Sequence, residues 1–288
     1  MTRKFTLFLA SMLIAFTAEA TMPMIGTTTT DEQPTTLATE ETSEESEEDG
    51  YWWGASMDLA SNYIWRGFDQ PYCGGNRNMF DPAIQGGATF GYGKFYIDLW
   101  ANYSTISSYT EFDIFLGYEN ENLTVTLYDV LWGVGAEDMS TMNPLKGENH
   151  SLTATIDYTL FERLRLHWAT TFIHAGDKLI DGKQAYSSYF EVAYTQPVCD
   201  LFDVEFTAGA APWSGPFWCY KRAGDGYIES DDENPVITYP EGFNVTNLSI
   251  MGLKEFEFDG FTIPVKAGYI YNPTTDFHYV LLQTGIAF

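Results

Sequence analysis

The sequence predicts an all-β protein, a transmembrane antiparallel up-and-down β-barrel of about twelve strands with both termini periplasmic. Three observations carry this expectation. Hydrophobicity alternates with a period of two from residue 52 onward, the connections between alternating segments switch between short and long, and the chain stops on an aromatic, Phe288, inside its last segment.

The alternation is clearest at Arg163 to Phe172, where Leu164, Leu166, Trp168 and Phe172 share one face and Arg163, Arg165, His167 and Thr171 the other. Glu111 to Tyr118 sets Phe112, Ile114, Leu116 and Tyr118 against Glu111 and Asp113, and Leu201 to Ala210 sets Phe202, Val204, Phe206 and Ala208 against Asp203, Glu205 and Thr207. Successive side chains of a strand point to opposite faces, whereas a helix would mix the two sets around its circumference. Segments of this kind lie near 52–66, 81–92, 94–104, 109–119, 121–131, 149–159, 162–174, 185–196, 200–211, 242–258, 260–271 and 276–288. Short turns fall at Gly93, Asn120, Leu160-Phe161, Pro197-Val198-Cys199 and Asp259, and longer loops separate the other pairs, the longest running from Pro212 to Glu241. Short periplasmic turns, longer external loops and an even strand number are the pattern of outer-membrane barrels.

A soluble sandwich or barrel also alternates, but its apolar residues face a core and its outer face is polar. Aromatic residues gathered near strand ends favour the membrane form, because interfacial girdles need them there: Trp52-Trp53, Tyr63/Trp65, Tyr103, Tyr118, Tyr158, Tyr194, Tyr269/Tyr271 and Phe288. Faces bearing Arg163, Arg165 and His167 suit a wet lumen better than a dry core.

Ahead of the barrel (51–288) lie two segments of different character. Residues 1–20 read as a signal peptide: Arg3 and Lys4, an apolar run from Phe5 to Phe16, and Ala18-Glu19-Ala20 as a small-x-small cleavage site. That run is too short for a membrane-spanning helix. Residues 21–50 carry nine acidic and no basic residues with much Thr, a composition too polar to offset its ordering entropy, and so read as a disordered tail.

The net charge of −26 excludes a nucleic-acid partner, which needs a basic stripe. Three cysteines allow at most one disulfide. Cys73 and Cys219 fall in loops on the same side of the barrel and can pair in an oxidising compartment, while Cys199 sits in a turn on the other side. Neither the Cys nor the His spacing makes a metal site, and no cofactor is implied. Asp231-Asp232-Glu233 lacks the Gly and spacing of a calcium loop and reads as a solvated tip.

With apolar faces turned to lipid, the opposite faces line the interior: Asp58, Asp98, Glu111, Asp113, Asp157, Arg163, Arg165, His167, Glu191, Asp203, Glu205, Glu255 and Lys266. Eight-stranded barrels are filled by side chains and those with about sixteen strands hold a channel, so twelve permits a narrow pore. The acidic excess points to weak cation preference if the path is open. Charge pairing that plugs the barrel is the competing reading.

Ser61-Asn62-Tyr63-Ile64-Trp65-Arg66-Gly67-Phe68-Asp69-Gln70 resembles the opening motif of the TorF-type outer-membrane porins, a family of exported barrel proteins. The match covers about ten residues, the remainder agreeing in architecture alone. The resemblance implies passive passage of small solutes or ions, with Arg66 and Gly67 marking the external exit of strand one. Read from the residues alone, Trp65 belongs to the girdle and Gly67 permits the loop turn.

The expected function is therefore a porin in the outer membrane of a Gram-negative bacterium. The alternatives are a structural or adhesive barrel binding through its long loops, and a membrane-embedded hydrolase. An enzyme is not expected: His150 beside Ser151 is the closest nucleophile–base pair, and adjacent strand residues point to opposite faces. The expected partners are outer-membrane lipid and lipopolysaccharide, the barrel assembly machinery, and small solutes or ions.

Val280, Leu282, Thr284, Ile286 and Phe288 share one face at the C-terminus. This arrangement resembles the signal by which barrels are handed to the assembly machinery, departing from it at Gln283 where the pattern usually has Gly. Removing Phe288 should slow insertion and lower the yield of heat-modifiable folded barrel. Unchanged kinetics and yield would show that Phe288 carries no assembly signal.

Overall fold

The computed structural model describes residues 50–70, 80–132, 150–174, 177, 179, 183–199, 201–213, 215, 228–231, 234–237 and 242–288. The signal peptide, almost all of the acidic tail, and Cys73 and Cys219 lie outside these residues. Cys199 is exposed.

Alternation produces the strands that the sequence predicts, and they close into one ring of twelve. In chain order the barrel strands are β1 (Tyr51–Ala60), β4 (Ala83–Tyr92), β5 (Phe95–Ser104), β6 (Thr110–Glu119), β7 (Leu123–Trp132), β8 (His150–Leu160), β9 (Leu164–Ile173), β10 (Ser188–Val198), β11 (Phe202–Ala211), β14 (Asn244–Phe258), β15 (Phe261–Asn272) and β16 (Phe277–Ala287). Two small hairpins lie in the connections, β2 (Ile64–Trp65) with β3 (Phe68–Asp69), and β12 (Ile228–Asp231) with β13 (Asn234–Ile237). Each barrel strand pairs antiparallel with its neighbour in sequence, and β16 returns to β1, with Ser56 opposite Ala287 and Ala60 opposite Gln283. Closure pairs both edges of each of the twelve barrel strands.

The faces are inverted relative to a soluble barrel. Val280 is 66 % exposed and Leu282 58 %, whereas Asp113 on the inner face is fully buried. Phe95, Ile97, Ile114, Leu116, Leu127, Ile156, Trp168, Phe206 and Ile250 also stand outward and exposed. In water each such side chain would forgo roughly 1.5–3 kcal/mol of burial. A hydrocarbon surrounding removes that cost, and a closed ring satisfies every strand hydrogen bond internally as hydrocarbon demands.

Turn chemistry sets the short ends. Asn120 Oδ1 accepts from the backbone N–H groups of Asn122 (3.2 Å) and Leu123 (3.0 Å), fixing the β6–β7 turn. Phe161 and Glu162 both take left-handed φ values, 53° and 63°, the signature of a tight β8–β9 hairpin. Arg163 belongs to this turn and is exposed, so it does not line the lumen. Its parity points inward, but the pleat that gives parity meaning begins at Leu164.

Two further expectations need correction. Strand one ends at Ala60, not near residue 66, and residues 61–70 fold inward. Tyr63 and Trp65 are therefore buried inside the barrel and are not part of a lipid-facing girdle. Tyr158, Tyr194, Tyr269 and Phe288 do lie on the outward faces at strand ends, with Phe288 near Phe261 at 6.4 Å between ring centroids. The second correction concerns the longest loop, which contains the β12–β13 ribbon where the sequence suggested no element.

Leu127 sits mid-strand on the outward face of β7, beside inward Thr126. Leu127→Arg should lower barrel stability by about 2–4 kcal/mol, the cost of a charge near the bilayer midplane. Thr126→Ser should cost far less. Equilibrium unfolding from lipid vesicles checks the pair, and equal losses would contradict the assignment of faces.

Candidate functional site: the barrel lumen

Strand register gathers the inward charges into one row. Asp157 on β8 is directly opposite His167 on β9, which is opposite Glu191 on β10. Arg165, two residues along β9, donates from Nη1 to Asp157 Oδ1 (3.0 Å) and from Nη2 to Glu191 Oε1. Tyr189 donates to Glu191 Oε2 at 2.5 Å, and Asn247 Nδ2 donates to the same oxygen at 3.2 Å. All six are nine-tenths buried or more. Charges withdrawn from water in this way persist when paired and hydrogen-bonded.

Gly209 makes the arrangement possible. It is opposite Glu191 across the β10–β11 pair, and a Cβ there would stand 1.9 Å from the Tyr189 hydroxyl. No larger residue leaves room for that ring.

The inward hairpin completes the network. Arg66 Nη2 lies 2.8 Å from His167 Nε2, and His167 Nδ1 lies 2.8 Å from Asp157 Oδ1. A guanidinium can only donate, so Nε2 accepts and Nδ1 carries the proton that goes to Asp157. The imidazole in this geometry is the neutral tautomer. The Arg66 guanidinium is also stacked between two rings, 4.6 Å from the centroids of both Trp65 and Tyr189.

The other inward residues are distributed around the wall. Asp98 accepts from Thr89 Oγ1 at 2.8 Å. Glu111 receives the hydroxyls of Tyr63 (3.0 Å) and Tyr109, and Asp113 lies one pleat further along the same face. Lys266 is within electrostatic reach of Asp58, Glu205 and Glu255. Glu205 accepts from Thr195 Oγ1 at 3.4 Å, while Asp203 shares its face nearer the turn and is only half-buried. Neutral donors and acceptors fill the gaps: Gln85 donates to Asn102 (3.3 Å), and Thr153 and Thr171 pair at 3.0 Å.

Of the thirteen inward charges read from the sequence, the row joins Asp157, Arg165, His167 and Glu191, and Arg163 alone leaves the lumen. Arg66, Tyr63 and Trp65 belong to the interior and were not legible as such, because period two stops at Ser61. Tyr189 and Asn247 could have been found, since Tyr189 shares the strand parity of Glu191. His150 and Ser151 diverge: His150 Nδ1 is 2.9 Å from Asp129, and Ser151 Oγ is 3.4 Å from Thr153 Oγ1.

No protein-family model matches this sequence, and no curated protein is similar to it. Among solved structures, the chain is similar to a structure described as the NanC porin, at 7 % identity and a TM-score of 0.43, over 82 % of this chain and 99 % of that one. It is also similar to one described as a bacterial polysaccharide outer membrane secretin, at 8 % identity and a TM-score of 0.39, over 82 % of this chain and 97 % of that one. At such scores the likeness adds nothing to what strand order already establishes.

Arg165 bridges two buried carboxylates, so its removal leaves both without their cation. Arg165→Met should cost about 3–5 kcal/mol of stability. Combining it with Asp157→Asn and Glu191→Gln should recover much of the loss, which equilibrium unfolding of the single and triple variants measures.

Proposed function

We propose that this chain is an outer-membrane porin, a barrel that lets small hydrophilic solutes or ions diffuse across the membrane, of the kind its 61–70 motif resembles. The observation that carries the reading is the inversion of faces: an exposed apolar exterior around an interior lined by carboxylates, guanidinium groups, hydroxyls and amides. Hydrocarbon suits the first surface and water the second. A structural barrel that binds only through its loops has no need of so polar an interior. Lipid and lipopolysaccharide are the surroundings this exterior fits, and the C-terminal face ending at Phe288 is the part offered to the assembly machinery. No role as an enzyme is proposed.

Cation preference is the finer part of the proposal. Asp157 and Glu191 are offset by Arg165, with Arg66 close by. Among the described residues, the other inward carboxylates, Asp58, Asp98, Glu111, Asp113, Asp203, Glu205 and Glu255, outnumber the cations near them: Lys266 reaches Asp58, Glu205 and Glu255, and Arg165 also reaches Glu205. Glu111 and Asp113 lie toward the long loops and Asp98, Asp203, Glu205 and Glu255 toward the short turns, so both approaches to the hairpin are acidic. Charges lining a narrow wet path set its local potential.

Purified protein in a planar bilayer should conduct, with a reversal potential under a KCl gradient that favours K⁺. The preference should weaken near 1 M salt, where the Debye length is about 3 Å. The double variant Asp203→Asn, Glu205→Gln should move the reversal potential toward zero. Anion selectivity in the parent would reject the lumen charge pattern, and an unshifted double variant would clear those two residues of a role.

A further inference from the structure

Residues 61–70, which open the first long connection, enter the barrel and reach opposite walls. Tyr63 hydrogen-bonds Glu111 on β6, and Gly67 packs against the backbone of Thr246 on β14. In the ring order β6 and β14 stand six places apart among twelve, which is diametrically opposite. The four residue steps from Tyr63 to Gly67 can span about 14 Å, enough with a tyrosine side chain to bridge a small barrel.

Each end of this hairpin is held by its own set of contacts. At one end the Tyr63 ring lies 5.4 Å from Trp100 and its hydroxyl meets Glu111. At the other, Gly67 adopts φ +82°, and a Cβ would stand 2.0 Å from the Thr246 carbonyl oxygen. Its own carbonyl accepts from Asn272 Nδ2 at 2.9 Å. Between them Arg66, itself at φ 51°, reaches His167. A non-glycine residue in the left-handed region is held there by its surroundings, and the surroundings here are the Trp65 and Tyr189 rings and the imidazole nitrogen.

We propose that Arg66 sets the aperture of the permeation path. Docked on His167 it holds the 61–70 hairpin across the lumen, and loss of that bond, by substitution or by protonation of the imidazole, widens the path. The proposal rests on the porin reading above.

The route through protonation follows from the groups that face His167. Arg66 approaches from the hairpin, Asp157 from β8, Arg165 from its own strand, and Glu191 and Tyr189 from β10. Two guanidinium groups and two carboxylates balance to zero around a neutral ring. A second proton on the ring removes the acceptor that Arg66 uses and leaves one uncompensated positive charge in a buried site. Withdrawal of Arg66 toward water relieves it and leaves the imidazolium with Asp157 and Glu191. Protonation and docking are thus exclusive in this geometry, and acid shifts the population toward the undocked hairpin.

The test compares wild type, R66A and H167A, each verified as folded by heat-modifiable mobility, in planar bilayers and in vesicle swelling with sugars of increasing size. Hydroxyl-radical footprinting of Tyr63 and Trp65 supplies a readout that needs no conduction. Both variants should raise conductance several-fold, admit larger sugars and expose Trp65 to oxidation, and the double variant should add little to either. Lowering the pH from about 7.5 to about 5 should act on wild type in the same direction. H167Q, whose amide oxygen can accept from Arg66 without taking up a proton, should respond to acid much less. Wild-type conductance and Trp65 protection unchanged in R66A and H167A would overturn the proposal and leave the porin reading standing. Silence of all three proteins in bilayers, with Trp65 newly oxidised in R66A, would overturn the porin reading and the aperture role with it.

Discussion

Everything in this molecule depends on the hydrogen bonds between β1 and β16. A sheet whose last strand returns to its first has no unpaired N–H or C=O along its rim, and that condition is what allows so apolar an exterior. The pairing also places Phe288 beside Ala55, with backbone hydrogen bonds of 2.9 and 3.3 Å between them. The end of the chain is thereby tied to its first strand. Alternation then does the rest: once the ring is shut, every second residue is inside, and the sign and size of those residues decide what the interior can do.

The interior is neither a packed core nor an empty tube. Large side chains such as Trp100, Tyr128 and Phe115 share it with carboxylates and hydroxyls; Phe115 stacks on Tyr128, and the Tyr189 ring lies 6.1 Å from that of His167 in the polar row. The Asp157–His167–Glu191 row is cross-linked by Arg165 from the wall and capped by Arg66 from the hairpin, so charge neutrality is local at this level of the barrel. Above and below it, among the described residues, the inward carboxylates outnumber the inward cations.

Strand positions, outward faces, tight turns and the inner location of twelve of the thirteen charged residues were legible because each follows from a local rule. Period two tells in from out, and Gly, Asn and short spacing tell where the chain reverses. Which charges meet was not legible, because it depends on register between strands: Asp157 and Glu191 look alike in sequence until β8, β9 and β10 are aligned around His167. Residues 61–70 were misread for a different reason. A run such as Tyr63-Ile64-Trp65 looks like lipid-facing surface when it continues a strand, but β1 has already ended at Ala60. Apolar side chains then have two places to go, hydrocarbon outside or aromatic rings inside, and the Gly67 turn with its approach to Thr246 selects the second. Arg163 shows the opposite error, a parity carried one residue past the last pleat into a turn.

The hydrogen bond from Asn272 to Gly67 joins residues 205 positions apart, and the contact of Gly67 with Thr246 is almost as distant in sequence. The hairpin follows the first strand, yet the wall it leans on belongs to strands near the end of the chain. Without β14 and β15, residues 61–70 lack half of their seat. The first loop and the late strands therefore depend on each other for their places, although most of the chain separates them.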